Sequence, residues 1–382
     1  MKKTLILSML SAFLLVACMG GKQENSVELT ESGLNPQKFV TDVDGKKTGL
    51  YILKNKNNME VCVTNFGGRI VSIMAPDRNG TMRDVVLGFD SIQDYIKYPS
   101  DYGASIGRYA NRIAHGRFSL DGVTYQLPQN NYGHCLHGGP KGFQYVVYDV
   151  AHVDSSEIKL CYHAKDMEQG FPGNLDCSVT MKLTDDNSID IRYEAQTDKP
   201  TIVNMTNHSY FNLSGEGSGS AMDQYLTIHA NYYTPVADSH SIPTGEYAPV
   251  EGTPMDFRTS RQMGERINAD FEQLKFTGGY DHNYVTDNYS KGNRRLIATA
   301  YSKETGIAMD VTSDCPCVQF YAANFVENEK GKNGHVYNQR DAFCLETQVE
   351  PNAVNVEDFH SPVLAAGEHY NSETSYRFYI KE

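Results

Sequence analysis

Tryptophan is absent from this 382-residue chain, and cationic side chains are outnumbered, with 34 Lys and Arg against 47 Asp and Glu. The formal charge of −13 at neutral pH argues against a phosphate-gripping groove, which needs clustered Lys and Arg. It places no limit on neutral ligands. No apolar run reaches the roughly 20 residues that cross a bilayer comfortably. The mostly apolar stretch from Leu5 to Val16, preceded by Lys2 and Lys3, instead has the length and flanks of a signal-peptide core. Repeated Cys-x-x-Cys spacing is also missing. Beyond Cys18 stand Cys62, Cys135, Cys161, Cys177, Cys315, Cys317 and Cys344, an odd set that cannot all pair within one chain, so neither a disulfide scaffold nor a zinc ribbon is indicated. Several of these lie in strand-like runs, where a buried thiol behaves as a small hydrophobe. Long helical periodicity and internal repeats are lacking as well.

The four residues Leu15-Val16-Ala17-Cys18 resemble a bacterial lipobox, in which the cysteine is diacylated and cleavage falls just before it. On that reading residues 1–17 are a signal peptide, Cys18 is the lipidation site, and residues 18–40 form a lipidated tether. Residues 41–382 then form one domain. The small and polar run Met19 to Ser26 cannot bury enough surface to offset its ordering entropy. An ordinary secretory signal with a coincidental cysteine is the alternative, and both readings export the chain. The expected location is a bacterial envelope, anchored through lipid on its periplasmic or cell-surface side.

Alternating or β-branched runs recur at Glu60 to Thr64, Ile158 to His163, Ser178 to Leu183, Ser188 to Glu194, Ala308 to Thr312 and Val318 to Tyr321. Turn signals such as Asp44-Gly45, Asn79-Gly80, Asp121-Gly122 and Asp185-Asp186-Asn187 separate such runs. Many short strands at close intervals predict an all-β architecture, a large antiparallel sandwich or barrel. One short helix is expected over Ser91 to Tyr98, capped by Ser91. The glycine-rich Ser214 to Ser220 reads as a mobile loop beside a site rather than a domain boundary, and Asp287 to Arg294 as a second loop.

Proton chemistry near neutrality points first to histidine. His134 and His137 lie in Gly133-His134-Cys135-Leu136-His137-Gly138-Gly139, and His208 in Thr206-Asn207-His208-Ser209-Tyr210-Phe211-Asn212. Taken singly, each is more often a hydrogen-bonded structural residue. A zinc reading of His134, Cys135 and His137 is weak, because a strand would point the two histidines to opposite faces and no second ligand cluster follows. Glu346 sits among largely apolar neighbours in Phe343-Cys344-Leu345-Glu346-Thr347-Gln348, where a carboxylate needs a partner or a raised pKa. Asp281, in Gly278-Gly279-Tyr280-Asp281-His282-Asn283-Tyr284, is flanked by groups suited to hydroxyls, or else caps a turn.

Five segments stand in an order that resembles the aldose 1-epimerases: Gly107-Arg108-Tyr109-Ala110-Asn111-Arg112-Ile113, Leu136-His137-Gly138-Gly139, Thr206 to Leu213, Gly279-Tyr280-Asp281-His282 and Leu345-Glu346-Thr347-Gln348. The resemblance runs from about residue 45 to the C-terminus. It implies a large twisted antiparallel β-sandwich with an open sugar cleft, and no metal or organic cofactor. It also implies that His208 is the general acid, Glu346 the general base, and Arg112, His137 and Asp281 ligands of sugar hydroxyls, with Asn111 beside them. Gln319, in Val318-Gln319-Phe320-Tyr321, matches a further ligand on a less distinctive segment. The run Val349-Glu350-Pro351-Asn352 departs from the family pattern, and a charge at Glu350 is expected to alter the pKa of the base or the rim of the cleft.

Interconverting the α and β anomers of a free aldose requires a proton on the ring oxygen and removal of one from the anomeric hydroxyl, with roles exchanged on closure. Protonated His208 and ionised Glu346 on opposite sides of the hemiacetal would supply both. A non-catalytic carbohydrate-binding lipoprotein of the same fold is the second reading, although it would be expected to lack one of the two proton carriers. A glycoside hydrolase or lyase is the third, and the paired carboxylates of a hydrolase are missing. The partners implied are a small sugar and a membrane, not nucleic acid.

Overall fold

The computed structural model describes residues 28–382. The expected signal peptide and Cys18 lie outside the described residues. Within them, residues 28–40 correct the expected extent of the tether. Asn35 caps a 3₁₀ turn at Pro36–Phe39, Leu34 and Phe39 are buried, and the Glu31 amide donates to Glu60 Oε1 at 2.8 Å. These two apolar side chains, eight and thirteen positions beyond the polar run, are enough to pin this segment to the body of the protein.

Antiparallel strands dominate. A nine-stranded sheet runs, in spatial order, through Asp149–Val153, Glu157–Ala164, Leu175–Leu183, Ser188–Thr197, His369–Ile380, Ile307–Ser313, Arg295–Tyr301, Tyr225–Ile228 and Arg261–Gln262. In Ser188–Thr197 the residues Ile189, Ile191, Tyr193 and Ala195 turn to the core while Arg192 faces water, the two-residue period of a half-buried strand. A five-stranded sheet orders Ala248–Pro249, Ala230–Thr234, Asp281–Thr286, Cys317–Tyr321 and Cys344–Gln348, and a four-stranded sheet covers Leu50–Lys54, Glu60–Thr64, Arg69–Pro76 and Met82–Asp84.

The first two sheets share one hydrophobic core that includes Val179, Ile191, Met309, Phe320 and Leu345. They are also pinned by polar contacts, Tyr376 Oη donating to Leu345 O at 3.0 Å and the Thr347 and Thr374 hydroxyls meeting at 2.6 Å. The result is the expected sandwich. Every residue of Cys317–Tyr321 and of Cys344–Gln348 is buried, so the polar residues within them must find partners inside the protein or serve a ligand.

The expected helix is present as Ile92–Lys97, with Ser91 accepting from the Asp94 amide. A second, unanticipated helix, Glu272–Thr277, ends at Gly278 in the left-handed region. Asp287–Arg294 does form a loop. The Ser214–Ser220 loop differs from its expectation: the Glu216 amide donates to Asp84 O at 2.6 Å, and its carboxylate lies 2.8 Å from His335 Nδ1 and takes the Tyr337 hydroxyl. Composition suggested mobility, but one acidic side chain fastens the loop to distant elements.

Candidate active site

Side chains from six stretches of the chain converge on a cleft of about 310 Å³ lined by Asn111, Arg112, His137, His208, Asp281 and Glu346, together with Asp101, Asn131, Tyr132, Leu136, Tyr210, Tyr321 and Phe325. None of the Ser214–Ser220 residues lines it. The five-stranded sheet supplies the carboxylates of Asp281 and Glu346. Gln319 stands opposite both Asn283 and Glu346 in register, which puts Asp281 one diagonal step away on the same face. Gln319 does not line the cleft. Its amide donates to Asp281 Oδ1 at 2.7 Å and accepts from Gln348 at 3.3 Å, so its position supports orientation of Asp281.

His208 ends a short strand, Thr206–His208, paired with Ala104–Ile106. Its Nε2 lies 3.4 Å from Glu346 Oε1, and its ring stacks on Tyr210 at 5.0 Å between centroids. Both residues are almost wholly buried. Burial disfavours the charged form of each, pushing Glu346 well above the usual carboxylate range and His208 below the usual imidazole value. The nearby Asp281 and Asp101 charges raise Glu346 further, against a smaller opposing effect of Arg112. His208 Nδ1 and Glu346 Oε2 are buried and have no hydrogen-bond partner among the described residues.

His137 is set by backbone geometry. It has a positive φ of 50°, and Gly138 follows at 79°, where a Cβ would meet Gly107 O at 2.1 Å. Burial lowers the His137 pKa to about 3, so the ring is neutral. Its Nδ1 accepts from the Asn111 amide at 3.1 Å, which places the remaining proton on Nε2 as a donor. Asn111 in turn accepts the Arg112 amide at 2.8 Å, and Asn131 holds Arg112 Nε at 3.0 Å. Arg108, four residues earlier in the same motif, instead donates to Pro172 O and Gly173 O and serves the fold.

Sequence reasoning missed Asp101, Asn131, Tyr132 and Phe325, none of which sits in a recognisable motif. Tyr210 and Tyr321 stand within the His208 and Gln319 segments, and their place in the wall of the cleft is evident only in the fold. Glu350 also differs from expectation: it lines no part of the cleft and is not among the charges that act on Glu346. It is buried, bonded to Tyr247 Oη at 2.7 Å and to His360 Nδ1 at 2.9 Å. Its neighbour Asn352 donates to Arg112 O at 2.8 Å, so this unfamiliar run braces the arginine segment.

Two groups among the described residues bring three metal-ligating side chains within 4.8 Å, Asp101 with His137 and His208, and Cys317 with Glu350 and His360. In the first, His137 Nδ1 is occupied by Asn111 and His208 Nε2 faces Glu346. In the second, Glu350 is already satisfied by Tyr247 and His360. Of the sequence-predicted set, His134 lies outside the cleft, its Nδ1 accepting from the His115 amide at 2.9 Å.

Comparison with known proteins agrees with this geometry. The galactose mutarotase of Rattus norvegicus is 39% identical over 325 residues, covering 85% of this chain and 92% of the rat protein. The aldose 1-epimerase of Escherichia coli K12 is 36% identical over 337 residues, 88% of this chain and 96% of the bacterial one. Among solved structures, an aldose epimerase homologue from C. elegans superposes with a TM-score of 0.79 at 30% identity, covering 88% of this chain and all of that one. A galactose 1-epimerase from Lactobacillus acidophilus gives 0.78 at 28% identity, covering 90% and 97%. Residues 49–377 match the sequence profile of aldose 1-epimerase, and the chain belongs to that family.

Proposed function

We propose that the cleft interconverts the α and β anomers of a free aldose such as glucose or galactose by opening and reclosing the hemiacetal ring. The observation that carries this reading is the buried His208–Glu346 pair at 3.4 Å. The ring oxygen and the anomeric hydroxyl are bonded to one carbon, so an acid and a base that serve them must themselves be neighbours. The pair stands side by side rather than across the sugar. Burial favours a neutral pair, Glu346 holding the carboxyl proton and His208 keeping only the one N–H of a neutral imidazole, with its other ring nitrogen as the base. Such a pair is competent in either sense, because ring opening needs one donor and one acceptor and ring closure needs the same two exchanged. His137 Nε2–H, Arg112 and Asp281 are suited to hold the remaining hydroxyls, the last two by charge-assisted hydrogen bonds.

Polarimetry of freshly dissolved α-glucose and α-galactose tests the activity, and a rate no faster than the spontaneous one would remove it. An unphosphorylated sugar fits best, since Arg112 is the cation lining the cleft and a phosphate dianion attracts several donors. We also propose that the protein is exported and anchored by acylation at Cys18, on the lipobox-like sequence alone. Among the described residues no helix is long and apolar enough to cross a membrane.

A further inference from the structure

Away from the cleft, three metal-ligating side chains meet where the five-stranded sheet gives way to the chain beyond Gln348. Cys317 opens the strand Cys317–Tyr321 and faces Gln348 in register, and Glu350 stands two positions further on, just past the end of that neighbouring strand. His360 completes the group. The Cys317 Sγ, a Glu350 carboxylate oxygen and a His360 ring nitrogen all lie within 4.8 Å of one another. We propose that these three residues bind one divalent ion of the zinc class, which clasps the segment 350–360 to the sheet.

The donor set selects the metal. Calcium and magnesium take oxygen ligands, whereas a thiolate, an imidazole and a carboxylate together suit zinc. Charge selects it too. Cys317 and the Glu350 side chain have no exposure to solvent, and a thiolate, a carboxylate and a neutral imidazole around a dication sum to zero. Such neutrality is what a buried ionic group requires. The thiol proton leaves to solvent as the ion binds.

The geometry needs little adjustment. Glu350 Oε1 lies 2.9 Å from His360 Nδ1, while two such donors stand about 3.3 Å apart around a tetrahedral zinc. The hydrogen bond that satisfies Glu350 therefore becomes a pair of ligands when the ion replaces the proton on Nδ1 and the two atoms part by a few tenths of an ångström. His360 has the freedom to make that shift. Its side chain is 35% exposed, which gives the ion a path inward and leaves a fourth position for water. The carboxylate is already aimed by outer contacts, Tyr247 Oη donating to Oε1 at 2.7 Å and the His360 amide to Oε2 at 3.1 Å.

The test titrates the purified chain, stripped with a chelator, first with cobalt(II) and then with zinc. Cobalt is expected to bind at about one equivalent and to give a thiolate-to-cobalt charge-transfer absorption in the near ultraviolet, which zinc then abolishes. Zinc should also raise the melting temperature. Cys317→Ser should lose the absorption, while Cys161→Ser, at the partly open cysteine, should match the wild type. His360→Ala and Tyr247→Phe should each weaken cobalt binding at least about tenfold. Both side chains reach solvent, so these two variants decide the matter even if the buried Cys317→Ser fails to fold. A wild type without the absorption, an absorption that survives Cys317→Ser, or wild-type affinity in both His360→Ala and Tyr247→Phe would overturn the site.

Discussion

Replacing His208 by Asn or Glu346 by Gln removes a proton carrier and keeps a similar polar shape. Each change is therefore expected to lower kcat by at least about a hundredfold with little change in sugar affinity. Arg112→Ala or Asp281→Ala should chiefly raise KM, since both lose ground-state contacts. Initial-rate polarimetry with the spontaneous rate subtracted separates the two patterns. The wild-type rate should trace a bell in pH, and burial fixes which residue bounds each limb. At low pH His208, its pKa lowered, takes up a second proton and leaves no base. At high pH Glu346, its pKa raised, gives up the shared proton and leaves no acid. This reverses the limbs expected from unperturbed side chains, because desolvation disfavours the charged form of each residue. Histidine NMR of the sugar-free protein checks it directly, and a protonated His208 at neutral pH would be inconsistent with the assignment. The same raised pKa affects stability. A carboxyl that binds its proton more tightly when folded contributes stability below its unfolded pKa and loses it as pH rises through the folded one. Glu346→Gln should therefore melt progressively higher than the wild type as the buffer becomes more alkaline, even though it is nearly inactive.

At the level of elements, most of the fold was legible because strand periodicity is local. Glu60–Thr64 has the bounds read from its alternation, the Ser178 run extends to Leu175–Leu183, and Ser91 caps its helix as the hydroxyl predicts. The candidate site was legible for a different reason. Its residues fall in five distinctive segments, whereas Asp101 and Phe325 reach the cleft only through long-range packing that leaves no mark on their neighbours. The packed segment 28–40 carries no such signal, because its two buried apolar residues, Leu34 and Phe39, stand among polar ones and show no period. Loop glycines offer a test of how backbone geometry sets chemistry. Gly138→Ala places a Cβ against Gly107 O and strains a left-handed φ, so it should destabilise the protein by more than about 1 kcal/mol in urea unfolding. It should also raise KM, because His137 is the preceding residue.

For the molecule as a whole, Cys18→Ser is expected to abolish fatty-acid labelling and to move the chain from the membrane fraction to the soluble one. A wild-type chain that takes up no label would end the lipoprotein proposal. The sandwich also determines how the other cysteines behave. All seven in the described residues are unpaired, and six are buried, with only Cys161 partly open. Burial pushes the thiols of Cys62, Cys135 and Cys177 up to about 12, far from the thiolate that reacts with oxidants or alkylating reagents. Six buried sulfur atoms, spread over the nine-, five- and four-stranded sheets, the short Cys135–Leu136 strand and the turn at Cys315, thus act as silent clocks. Each becomes visible to a thiol reagent only when its own part of the core opens, so their separate labelling rates would chart which strands part company first.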